Sequence, residues 1–222
     1  MLPAETTNNT ITNNIKKDSG AVVGSKLSAH HLQLLHMPFQ QTGIPDLLIY
    51  EPNVFGDHRG YFFESYNANT FSAEGIGYKF VQDNQARSTY GVLRGLHYQL
   101  EPYAQTKLVR VLEGSIIDAV VDIRKGSPTY GKSFAIELSA GNKLQLLVPK
   151  GFAHGYAVIS ETAEVMYKCD NFYHKGSEGG IIYNDPALGI DWGINLDDAI
   201  VSEKDLILPT LANIQHNFIF NS

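Results

Sequence analysis

The sequence predicts an all-β fold, an antiparallel sandwich or barrel of the jelly-roll type with a few short helices, and three observations carry that prediction. From Asp46 onward, short segments rich in Val, Ile, Leu, Phe and Tyr recur at fairly regular intervals. Turn chemistry separates them, at Gly56-Asp57, Glu113-Gly114, Gly126-Ser127-Pro128, Ala140-Gly141-Asn142 and Pro149-Lys150-Gly151. There is no internal repeat and no alternation of strands with helical patterns, which disfavours a Rossmann-like dinucleotide domain. About ten strands joined by loops this short make an antiparallel two-layer or closed sheet.

In chain order, residues 1–44 stand apart as an appended arm, rich early in Asn, Thr and Ser. Within it, SAHHLQLLHM predicts a short helix capped by Ser28. His30, His31 and His36 have no acidic or cysteine partner nearby, so they read as exposed or packing histidines. Residues 45–222 form the folded domain. Its predicted strands are LLIYEP, YFFESY, KFVQDNQA, VLRGLHYQ, TKLVRVLE, SIIDAVVDI, KSFAIELS, LQLLVP, GFAHGYAV and AEVMYKCDN. One short helix follows Asn67 and stops near Gly75 and Gly77, and another begins near Ser202.

Composition narrows the function classes. The 222 residues are 43% hydrophobic and 18% charged, enough apolar material for one globular core. A formal charge of −6 argues against a broad basic face for nucleic acid, so an anionic ligand must be met by a local cluster. The single cysteine, Cys169, excludes an intrachain disulfide framework and reads as a small apolar strand residue. Runs such as SIIDAVVDI are cut by acids and fall short of the roughly 18 apolar residues of a spanning helix, so no membrane span is expected. The polar start indicates no secretory signal, and a cytoplasmic location is the expectation.

The chemistry-bearing residues cluster in a few strands. In VLRGLHYQ, strict alternation points Arg94 and His97 to opposite faces. Gly95 between them offers an alternative, a bulge that brings both to one side. Lys107 shares parity with Val109 and Val111, so its tip projects from an apolar face and either snorkels to water or meets an anion. Tyr167 shares a face with Val165 and Cys169, an interior tyrosine whose hydroxyl needs a partner. PKGFAH, ending at His154, matches one of two motifs of metal-binding cupins. The other motif needs a His-x-His pair, and His97-Tyr98-Gln99 places glutamine at its second histidine, leaving too few ligands for a metal.

Taken together, FGDHRGYFFESYN, FVQDNQARSTYGVLRGLHYQ, KLVRVLEGSIIDAVVDIRKGSPTYG, VPKGFAHGYAV and SEGGIIYNDPALGIDW closely resemble the dTDP-4-dehydrorhamnose 3,5-epimerase family, from about Pro45 to Pro209. The resemblance implies a cupin-like jelly roll, a homodimer, a nucleotide-sugar substrate, and no metal or other cofactor. It implies that His97 is the catalytic base beside the C4 ketone of the sugar, that Asp205 orients it, that Tyr167 returns a proton to the opposite face, and that Lys107 stabilises the enolate. It places Arg59, Glu64, Gln82, Asn84, Arg94, His154, Glu178 and Lys204 at substrate-contacting positions.

The reaction asks for such groups on its own terms. Inverting a carbon beside a ketone needs a base on one face and an acid on the other, because a single group tends to return the proton to the face it left. The enolate oxygen calls for a fixed cation. Asp205 has a competing explanation, since Ser202-Glu203-Lys204-Asp205 also reads as a helix start in which the acid caps. Asp118, between Ile117 and Ala119, is a buried acid in a supporting role. Three alternatives to C3,C5 epimerisation stand beside it: a C3-only epimerase, a jelly roll that binds a nucleotide sugar without chemistry, and a metal-dependent cupin oxygenase, which Gln99 disfavours.

Overall fold

The structure, a computed structural model, describes residues 38–221. The helix expected at 28–37 and most of the appended arm lie outside the described residues. Two antiparallel sheets form a sandwich. The first runs β1 (Phe39–Gln41), β2 (Leu48–Tyr50), β10 (Gln145–Val148), β7 (Lys107–Glu113), β12 (Thr162–Cys169), β5 (Gln82–Thr89). The second runs β13 (Glu178–Gly180), β6 (Val92–Gln99), β11 (Phe152–Val158), β8 (Ser115–Asp122), β9 (Ser133–Ser139), and β14 (Ile200–Val201) lies parallel to β6. Among the described residues, strands β3 (Phe55–Asp57) and β4 (Gly60–Phe62) pair only with each other.

The alternation of apolar side chains explains the layers. Val109 and Val111 of β7, Leu146 and Val148 of β10 and Val165 of β12 face inward and meet Ile116 and Val120 of β8 and Val158 of β11 in one core between the sheets. Their neighbours Leu108 and Leu147 face outward and pack with Tyr50, Phe71 and Ile76. Phe71 arrives on helix α1 (Ala68–Ala73), whose N-cap Asn67 accepts a hydrogen bond from Asn69 N. The outer face of the second sheet carries Leu93, Leu96, Tyr98, Val121 and Ala157, covered by the C-terminal segment and by Trp192. Trp192 is 2% exposed and donates its indole N–H to Tyr183 O at 3.0 Å. A strand such as β8, covered on both faces, therefore reads as an almost unbroken apolar run.

Four differences from the sequence reading have physical causes. Residues 39–41, assigned to the arm, pair with β2, so the fold begins before residue 45; Gln40 and Gln41 are both exposed on this edge strand and give no hydrophobic signal. The strand expected over YFFESY shortens to β4 and gains β3, read as a turn, across the two-residue loop His58-Arg59. The strand expected from Lys79 starts at Gln82 and runs to Thr89, because its pairing with all of β12 sets its length. Strands β13 and β14 have three and two residues, too short for any periodicity, and exist because β6 offers them an edge.

Candidate active site

Polar residues of five strands, β5, β7 and β12 of the first sheet and β6 and β11 of the second, line one continuous opening. On the first sheet, Cys169 pairs with Lys107 and Gln82, and Tyr167 with Val109 and Asn84, so Gln82, Asn84, Lys107 and Tyr167 share its inner face. On the second sheet, His154 pairs with His97 and Tyr156 with Arg94. Two residues of β11 thus span three of β6, a bulge. Gly95 is the extra residue. It takes φ +127°, and a Cβ built there would lie 2.5 Å from the Gly155 Cα and 2.9 Å from the His154 carbonyl oxygen. The bulge resolves the alternatives for VLRGLHYQ: Leu93 and Leu96 both face outward, and Arg94 and His97 both face the cleft.

Arg94, His97, Lys107, His154, Tyr167, Lys204 and Asp205 line a cleft of about 560 Å³, together with Tyr156, Ile200 and Val201. An adjoining recess of about 420 Å³ shares His97, Lys107 and Tyr167 and adds Gln82, Asn84, Tyr173 and Glu178. These three shared residues stand where the two spaces meet.

Asp205 reaches His97 through the chain's last regular elements. Pairing of β14 with β6 brings Ser202 alongside, where its hydroxyl caps the single turn of α2 (Glu203–Leu206) by accepting from Asp205 N at 3.3 Å. The Asp205 side chain turns the other way. It is 3% exposed and accepts from His97 Nε2 at 2.7 Å and from Gly95 N at 3.2 Å. Asp205 thus takes the cap through its backbone N–H while its carboxylate is left to bond His97 and Gly95. Burial alone would raise this carboxyl, but the hydrogen bonds and charge of His97, with Gly95 N and Ser202, hold it below the usual carboxylate range. An ionised carboxylate only accepts, so His97 Nε2 carries the proton and Nδ1 is the free basic nitrogen.

A second histidine–aspartate pair lies deeper. Asp118 is wholly buried, and both its oxygens take His154 Nε2, at 2.9 and 3.1 Å. That leaves His154 Nδ1 as the acceptor facing Lys107 Nζ at 3.5 Å. Burial pushes Lys107 below the ordinary lysine value, and Cys169 and Asp118 oppose that shift. Burial likewise lowers His154, helped by the charges of Lys107 and His97 and opposed by Asp118. Across the opening, desolvation first, then Cys169 and Tyr156, push the Tyr167 phenol up to about 12, with Arg94 acting against them. At neutral pH Tyr167 keeps its proton and can only give it.

The remaining expected residues divide. Lys204 donates to Glu178 Oε2 at 2.8 Å across the mouth, and Gln82 Nε2 donates to Asn84 Oδ1 at 3.0 Å. Arg59 and Glu64 do not line the cleft of their own chain. Arg59, at the tip of the β3–β4 hairpin, is bound to Asp57, and Glu64 accepts from Asn67 Nδ2 at 3.1 Å. Gln99, the glutamine at the metal-motif position, braces backbone: its amide donates to Tyr103 O at 2.6 Å and Phe172 O at 3.3 Å and accepts from His174 N at 2.7 Å. Sequence reasoning gave no weight to Tyr156, although parity in FAHGYAV sets it on the face of His154.

Residues 41–213 match the family model described as dTDP-4-dehydrorhamnose 3,5-epimerase. The enzyme of that name from Shigella flexneri is 55% identical over 168 residues, covering 75% of this chain and 91% of its own. The crystal structure of dTDP-6-deoxy-D-glucose-3,5-epimerase from Legionella pneumophila, in complex with dTDP-4-keto-L-rhamnose, superposes with a TM-score of 0.77 at 48% identity, over 81% of this chain and 95% of that one. A 3'-monoepimerase from Streptomyces bikiniensis, in complex with dTDP-quinovose, gives 0.71 at 31% identity, over 77% and 86%.

Proposed function

Because the chain belongs to the dTDP-4-dehydrorhamnose 3,5-epimerase family, we propose that it epimerises C3 and C5 of dTDP-4-dehydro-6-deoxy-D-glucose to give dTDP-4-dehydro-L-rhamnose. One observation carries the reading: an imidazole with an open ring nitrogen on one sheet and a proton-bearing phenol on the other, with a half-buried lysine lining the same cleft. His97 Nδ1 removes the proton beside the C4 ketone, and the imidazolium that forms is held by Asp205. Electrons move onto the ketone oxygen, where Lys107 meets the developing charge. Tyr167 then delivers a proton to the other face of the carbon, and the enolate collapses back to the ketone. Base, acid and cation are all side chains of this chain, so the steps draw on no cofactor.

Arg94 and Lys204 hold the diphosphate in this reading, and Gln82, Asn84, His154 and Glu178 serve sugar or base. The protein acts as a homodimer in which Arg59 and Glu64 of one protomer complete the cleft of the other. The exposed Phe55, Tyr61 and Phe62 on the hairpin support this, being 53%, 64% and 67% exposed. Among the described residues no helix is long and apolar enough to cross a membrane.

The likeness to the 3'-monoepimerase favours one second reading, epimerisation at C3 alone. Incubation with dTDP-4-keto-6-deoxyglucose in deuterated water, followed by NMR, separates them. Deuterium at C3 and C5 is expected. Deuterium at C3 alone establishes the second reading, and no exchange despite tight binding sinks the enzyme hypothesis.

A further inference from the structure

Tyr156 carries a buried hydroxyl that the steps above do not use. The residue is 4% exposed, and among the described residues its Oη has no hydrogen-bond partner. Folded proteins rarely leave such a group unpaired, because its lost hydration is not replaced. Its polar neighbour Ser88 lies close enough to act against the upward push of burial on the phenol, but it is out of hydrogen-bond geometry with Oη, and its Oγ accepts from Arg94 Nε at 3.3 Å and Nη2 at 3.1 Å.

Register shows what the hydroxyl could serve. His97 and His154 are cross-strand partners, and Arg94 and Tyr156 are the next such pair along the same two strands and on the same face. The first row faces the reacting carbon. The second stands one strand repeat away, roughly 6.6 Å, about one pyranose ring further, where the phosphate joined to the sugar must lie. Arg94 is an exposed side chain tied there by a single serine hydroxyl, so turning it onto an anion costs little and uncovers the space beside the phenol.

We propose that Tyr156 is a further substrate-binding residue, whose hydroxyl donates to an oxygen of the sugar-linked phosphate held by Arg94. The hydroxyl is thus left unpaired in the free protein and satisfied in the complex. The proposal rests on the nucleotide-sugar reading above. It also accounts for a tyrosine in the inner core, where a phenylalanine would fill the same space without burying a polar atom.

The test uses the isosteric Tyr156→Phe variant, with dTDP and thymidine as probes in titration calorimetry and with thermal melting of the free protein. The expected result is dTDP binding weakened about tenfold, thymidine binding unchanged, and a melting temperature equal to or above that of the wild type. Unchanged dTDP affinity overturns the proposal, as does a clear fall in melting temperature, which would give the hydroxyl a structural partner. Equal weakening for thymidine also overturns it, by moving the contact to the nucleoside. If the wild type itself binds no dTDP, the nucleotide-sugar reading falls first and takes this proposal with it.

Discussion

Two histidine–aspartate pairs face one cleft, and their difference divides the labour of the site. His97 is 35% exposed at its side chain and hydrogen-bonds the buried Asp205, so its Nδ1 remains open to substrate. His154 is 6% exposed, Asp118 not at all, and its free nitrogen is spent on Lys107. Both carboxylates fix the same tautomer. Exposure separates them: in the proposed reaction the open pair takes the proton from carbon, and the closed pair supports a half-buried ammonium that burial would otherwise tend to discharge.

Breaking the open pair has the largest effect. His97→Asn removes the proposed base, and deuterium exchange and turnover are expected to fall on the order of 10³-fold; near-normal exchange in this variant would transfer the base to another residue. Tyr167→Phe is expected to lower inversion about 10²-fold while some proton loss persists, read as washout of deuterium from labelled substrate without product. Wild-type inversion would remove the tyrosine from the proton-returning step.

The closed pair yields a smaller loss with a distinctive pH signature. Asp118→Asn deletes the carboxylate that opposes the burial shift of Lys107, whose other polar neighbours are His154, Cys169 and the Tyr167 ring. The lysine then deprotonates at lower pH than in the wild type. Turnover near neutrality is expected to drop about tenfold, and the alkaline limb of the pH–kcat profile to move toward neutrality. An unmoved limb would reduce Asp118 to a packing role. The smallest effect comes from Ser202→Ala, which strips the cap of α2 and is expected to cost about 1 kcal/mol in urea unfolding, with a few-fold loss of turnover through looser placement of Asp205.

How much of this was legible in the sequence follows from the range of each signal. The inward faces of β7, β8 and β12 are written in local alternation, and Lys107 and Tyr167 could be placed on them directly. Gly95 announced a break in alternation but not its direction, because a bulge takes its sense from the partner strand, here Gly155. The His97–Asp205 bond spans 108 positions and depends on a two-residue strand, so no local pattern encodes it; only the resemblance pointed there. Arg59 falls on a hairpin that pairs with neither large sheet, and Glu64 falls in the stretch just after it, and parity has nothing to say about where such a segment docks. Tyr156 escaped because an aromatic in an apolar strand is ordinarily filler, and only a count of hydrogen bonds distinguishes a hydroxyl with work to do.

Trp192 turns this layered arrangement into an optical asset. It is the only tryptophan of the chain, and it sits behind the second sheet, on the face turned away from His97 and Arg94. Its fluorescence should report cooperative unfolding from a single apolar environment, with a red shift as the indole enters water. A ligand in the cleft, with a strand layer between, should leave that emission nearly untouched, so folding and binding can be followed in one sample as separate signals.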